Sequence, residues 1–153
     1  MISKYIYFAA NNMIDHTLYN KSFILGETDD INKRQLQYNK IQKGLQKPNT
    51  GTIVSMTNEA GLIFPFVDCF KFTVPGGYTK NKHDSQLHYI LQHEKPFTDI
   101  VYHIKDKTVM NTKEAFAFYS TNDLIYDIER LKNFLIENLL SYHSYSIVEY
   151  KYT

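Results

Sequence analysis

The chain has no tryptophan, one cysteine, no apolar run near the length of a membrane span, and no acidic residue between Ile31 and Asn58. These shortages exclude several classes of function at the outset. A lone Cys69 can form neither a disulfide within the chain nor a cysteine-based zinc site. The HExxH pattern of zinc hydrolases is missing. His83, His88 and His93 recur every five residues, a spacing that spreads them around a helix instead of placing them on one face. His16 and His143 lack the H-x-T/S partners of a two-histidine phosphoesterase. A spanning helix needs about 20 consecutive apolar residues, and with none present no membrane partner is expected. Met1-Ile2-Ser3-Lys4-Tyr5-Ile6-Tyr7 shows neither the long apolar stretch nor the small-residue cleavage site of a secretory leader, so the expectation is a cytoplasmic protein in a reducing compartment.

What is present is aromatic and unevenly charged. Thirteen tyrosines and ten phenylalanines suit a sheet and its core, and they can also offer stacking surfaces to bases. The net charge of +1 says little about partners, but its distribution says more. Lys33, Arg34, Lys40, Lys43 and Lys47 all fall in the acid-free stretch. Such a segment in a near-neutral chain can follow a phosphate backbone, and it can equally be a solvated helix face.

The 153 residues suit a single domain with a true core. Residues 4–10 read as a strand and residues 22–27 as a second, joined by a long turn-rich loop into an antiparallel pair. Thr28 or Asp29 can cap a helix beginning at Asp30, whose apolar positions are Ile31, Tyr38, Ile41 and Leu45. Residues 64–74 read as a third strand and His83 to His93 as a short helix stopped by Pro96. A hairpin follows from 98–105 and 114–119. Then comes a long helix with Leu124, Ile128, Leu131, Leu135, Leu139 and Tyr142 on one stripe, introduced by Thr121-Asn122-Asp123. The tail from Tyr145 to Tyr152 can add an edge strand. The expected architecture is therefore α+β: a small three-stranded antiparallel sheet flanked by helices over residues 4–95, extended by a carboxy-terminal hairpin and long helix over 96–153.

The order β-β-α-β-α, with Tyr5-Ile6-Tyr7, then Leu25-Gly26-Glu27-Thr28-Asp29-Asp30 and Arg34, resembles the GIY-YIG nuclease superfamily. The likeness is to its short divergent branch, whose motifs read like YVY and KIG-x-T-x-D-x-x-x-R. Arg34-Gln35-Leu36-Gln37-Tyr38-Asn39, Asp84-Ser85-Gln86-Leu87-His88 and Lys113-Glu114-Ala115-Phe116 match later motifs of that branch, so the resemblance spans about residues 5–135. It implies a DNA endonuclease that uses Mg²⁺ or Mn²⁺. In that reading Tyr7 activates water, Arg34 stabilises the phosphate, Asp84 holds the metal, and His88 orients the carboxylate or joins the metal's water shell. Lys33, Asn39, Lys40, Lys43 and Lys47 would contact nucleic acid, and Gly26 would form the turn of the motif. Two departures stand out. The family's second tyrosine falls at Ile24, with Tyr19 and Lys21 nearby as stand-ins, and its metal-binding glutamate falls at Asp84, with Glu94 as the alternative ligand. Two other functions fit the same residues: a nucleic-acid-binding module without catalysis, and a protein-interaction domain whose last strand recruits a partner or a second copy in a homodimer.

Overall fold

The structure is a computed structural model, and it describes residues 2–11, 17–42, 66–74, 83–105, 113–142 and 146–150. Its organising strand is β1, Ile2–Ala10. Successive side chains on a strand point to opposite faces, and β1 is apolar on both: Ile6, Phe8 and Ala10 on one side, Tyr7 and Ala9 on the other, all buried. A strand of that pattern belongs at the centre of a sheet covered on both faces. Accordingly β2, Ser22–Thr28, pairs antiparallel along one edge of β1, with Tyr7 opposite Gly26. Strand β3, Phe66–Val74, pairs antiparallel along the other.

The sheet does not stop at the three strands expected. Strands β4, Val101–His103, and β5, Ala115–Phe118, form an antiparallel hairpin, and β5 pairs with β2. Strand β6, Ser146–Tyr150, lies along β3 as the edge strand expected of the tail. The result is a six-stranded antiparallel sheet in the order β4-β5-β2-β1-β3-β6. The physical reason lies in Ala115-Phe116-Ala117-Phe118, all four of which are buried: two alanines face one side and two phenylalanines the other. A segment apolar on both faces is stable only inside the sheet, where it also covers the otherwise open edge of β2. Only the second half of the strand expected at 98–105 forms. Residues Phe97–Ile100 make a helical turn, α3, which drives Phe97 fully into the core.

Helices α1, Ile31–Gln42, and α2, His83–His93, cover opposite faces. Ile31 of α1 packs with Tyr7, Ala9, Ile24, Phe66, Cys69, Ala115 and Ala117. On the other side Leu87, Ile90 and Leu91 of α2 pack with Ile6, Phe8, Phe23, Leu25, Phe70, Phe116 and Phe118. Helix α4, Leu124–Tyr142, joins α2 there through Leu124, Ile128, Leu131 and Leu135, the stripe legible in its periodicity. Asp123 caps α4 by accepting the Tyr126 N–H at 3.1 Å. The cap of α1 is Asp30, one residue later than expected, because its carboxylate accepts the Lys33 N–H at 3.0 Å while Thr28 Oγ1 accepts that of Asp30. Among the described residues no helix is long and apolar enough to cross a membrane.

A register shift between Phe8 and Ala9 places Phe8 opposite Asp68 and Ala9 opposite Phe66, so Val67 is the extra residue of a β-bulge. The bulge brings Phe66 to the α1 face, and the regular register puts Cys69 on that face opposite Tyr7 and Asp68 on the α4 face opposite Phe8. There Lys132, completely buried, donates to Asp68 Oδ1 at 3.0 Å, and the same carboxylate oxygen accepts the Cys69 N–H at 2.9 Å. Removing one partner of a buried ion pair strands the other charge. Lys132→Ala is therefore expected to cost about 3–5 kcal/mol in denaturant unfolding, with most of the loss recovered in the Lys132→Met/Asp68→Asn double variant.

Candidate functional site

Tyr7 and Gly26 meet across the β1–β2 pair. Gly26 does not end its strand or form a turn, as the motif suggests; it lies inside β2, and its need is for space. A Cβ built on it would collide with the hydroxyl end of the Tyr7 ring. The ring can lie over the strand only because that side chain is missing. Phe66 stacks on the ring with centroids 4.5 Å apart and planes at 11°, and Tyr7 is 1% exposed. Ile24 stands on the same face, opposite Ala9, and is fully buried. Tyr19 and Lys21, considered as stand-ins for the family's second tyrosine, sit exposed in the β1–β2 hairpin turn, at the end of the strands away from α1.

Arg34 is half-buried on α1, three residues after Ile31 and therefore on the flank of the helix that faces the sheet. Gln35 anchors this part of the helix by accepting the Phe66 N–H with Oε1 at 3.1 Å. Lys33 is exposed one position before Arg34. Asn39 and Lys40 lie on α1 but their side chains fall outside the described residues, as do Lys43 and Lys47 altogether.

Asp84 and His88 stand on the other side of the sheet. Asp84 lies in the first turn of α2, nearly buried, and its N–H donates to Glu27 Oε1 at 3.2 Å. Lys4 sits 3.8 Å from Glu27 Oε2 and 2.8 Å from Asp29 Oδ1. The Asp29 hydrogen bond holds the Lys4 ammonium protonated above its ordinary range, with smaller help from Glu27. His88 Nε2 lies 2.7 Å from the Leu25 carbonyl. An oxygen acceptor requires the proton to be on Nε2. The reason for the contact lies in the ladder: β5 pairs with β2 only over Ser22–Ile24, and the Leu25 N–H reaches back to the Glu114 carbonyl. The Leu25 carbonyl emerges past the start of β5, and the imidazole satisfies it. Glu94 lies at the opposite end of α2 from Asp84.

The four residues expected to form one catalytic centre are thus divided, with Tyr7 and Arg34 on the α1 face and Asp84 and His88 on the α2 face. Among the described residues no three His, Cys, Asp or Glu side chains gather into a metal-binding set. The Glu27 carboxylate beside Asp84 is engaged by the Asp84 amide and Lys4. This donor set does not fit a Mg²⁺ centre shared with Tyr7 and Arg34.

Two residues on the α1 face went unselected in the sequence. Tyr5 is half-buried, two residues before Tyr7, and pairs with Thr28 at the entry to α1 and with Lys71 on β3. The Lys71 ammonium lies 6.0 Å from the Tyr5 ring. The alternation of Tyr5 with Tyr7 is a signal present in the sequence; the approach of Lys71 depends on the β1–β3 register. If Gly26 is kept small by the Tyr7 ring, Gly26→Ala should destabilise the fold by about 1–3 kcal/mol. Adding Tyr7→Leu should recover part of that loss, measured as a coupling energy in a double-mutant cycle of urea midpoints. The chain matches no protein-family model, no curated protein and no solved structure.

Proposed function

We propose that this chain is a DNA-binding module on a GIY-YIG-like frame, gripping phosphates with the first turns of α1 without cutting them. One arrangement carries the reading. Lys33 and Arg34 project from the start of a helix whose sequence has no acidic residue after Asp30 until Glu59, on the face of the sheet that also holds Lys71 and the half-buried ring of Tyr5. The two acidic residues beside that helix start are already engaged: Asp29 pairs with Lys4, and Asp30 is turned onto the Lys33 amide. Lys33, Arg34 and Lys71 therefore outnumber Asp30, the carboxylate at this helix start that no cation pairs among the described residues. The order β1-β2-α1-β3-α2 supports the GIY-YIG-like frame.

Hydrolysis needs a base, a phosphate clamp and a metal ligand around one scissile bond. Tyr7 is enclosed between Gly26 and Phe66, Ile24 has no acid–base capacity, and a sheet separates Arg34 from Asp84. The metal-dependent endonuclease reading therefore has less support than binding alone. Phosphate contacts release counterions, so log affinity falls linearly with log salt, by about 0.9 per phosphate neutralised on duplex DNA.

The test is fluorescence anisotropy with a labelled duplex between low and physiological salt, together with supercoiled plasmid incubated with Mg²⁺, Mn²⁺ or EDTA. Lys33→Ala/Arg34→Ala should reduce the salt slope by about two contacts' worth and leave the unfolding midpoint near that of the wild type. The plasmid should stay intact in every lane. Metal-dependent nicking abolished by Arg34→Ala would overturn the non-catalytic reading in favour of the endonuclease, and absence of binding at low salt would overturn both.

A further inference from the structure

Phe116 is flanked by two imidazoles. His103, the last residue of β4, is its cross-strand partner and meets it edge-on with centroids 5.4 Å apart. His88 approaches from α2 at 5.5 Å. Each ring reaches a backbone carbonyl where the β5 ladder begins: His88 that of Leu25, His103 that of Lys113. After those bonds His103 Nε2 is buried and has no hydrogen-bond partner, and among the described residues it is the one buried side-chain nitrogen or oxygen in that position. A buried polar atom without a partner is costly, and more so when it carries a proton it cannot donate.

The geometry points to an acid-sensitive latch: protonation of His103, beside His88 and with no acceptor at Nε2, releases β4 from β5 and α2. The element it would release is lightly held. Strand β4 is a three-residue edge strand, fixed by its pairing with β5, the Ile104 N–H to Ala115 carbonyl bond at 3.0 Å, and packing of Val101 and Ile104. Among the described residues the charged and titratable groups around the pair are Asp84 on α2, Glu27 on β2, Lys105 after β4, and Lys113 and Glu114 leading into β5. Asp84 favours a charge on His88, while Lys105 and His88 itself disfavour one on His103. Glu27 is partly neutralised by Lys4. The balance at His103 is therefore against the proton.

Burial is the main cause that lowers the proton affinity of both histidines below the ordinary value of 6.5. Opening of β4 exposes His103, which then binds the proton that the closed state refuses. The latch is fully closed above about pH 6.5 and loosens as pH falls below it, by about tenfold in the opening constant per proton per pH unit.

Amide hydrogen exchange followed by NMR at pH 7.5 and 5.5, corrected for intrinsic exchange, tests this on the full chain. Protection of Ile104 should fall about tenfold, while amides of the β1–β3 ladder change little. In His103→Phe, which keeps the ring against Phe116 but cannot charge, the fall should shrink to less than twofold; His103→Gln serves if the Phe variant does not fold. The His103 ring resonance in the wild type should titrate below the free-histidine range. An equal fall in the His103 variants, an equal fall at every amide, or His103 titrating at or above 6.5 would each overturn the latch.

Discussion

The ring of Tyr7 lies across the bare backbone of Gly26, and the packing of the α1 face is arranged around that contact. With the ring flat over β2, its outer surface needs an aromatic partner, which is Phe66. Phe66 can reach it only because Val67 bulges out of the β1–β3 pairing. Next to the bulge the regular register places Asp68 opposite Phe8, facing away from Tyr7, where Lys132 of α4 meets it. The Tyr7–Phe66 stack on the α1 face and the buried ion pair that ties α4 to the other face thus meet at neighbouring residues of β3.

The two faces of the sheet are built from different chemistry. On the α1 face small residues, Ala9, Ala115 and Ala117, leave room for the Tyr7–Phe66 stack, and the cations Lys33, Arg34 and Lys71 stand at its margin. On the α2 face five phenylalanines of the sheet pack under helices α2, α3 and α4, and the polar groups there are spent on structure. His88 satisfies a carbonyl that β5 leaves open, Glu27 receives the start of α2, and Asp68 neutralises Lys132. Such groups are held by geometry that catalysis would have to disturb. The cations at the margin of the α1 face make no such demand, and the proposed phosphate binding rests on them.

Much of the architecture was legible in local patterns. The β1–β2 hairpin, α1, β3, α2 and α4 follow from strand alternation, helical periodicity and side chains such as Asp123 that cap by reaching three residues along the chain. Local signals failed where the deciding partner was remote. The Ala115–Phe118 segment reads as an appended hairpin until β2 is seen to need a neighbour. No local pattern marks Lys132 for burial, because its partner lies 64 residues away. His88 reads as a companion of Asp84 because helical spacing puts them together, while the carbonyl it serves is 63 residues distant.

The candidate site divides along the same line. The sequence alone determined which residue types stand in which order: a tyrosine pair, a glycine, an arginine on a basic helix, then an aspartate and a histidine on the next helix. It could do so because motif order and helical spacing are properties of the chain itself. Only the tertiary structure decided that the sheet runs between them. Which face a helix covers depends on the connection that carries it over or under the strands, and no periodicity within the helix records that choice.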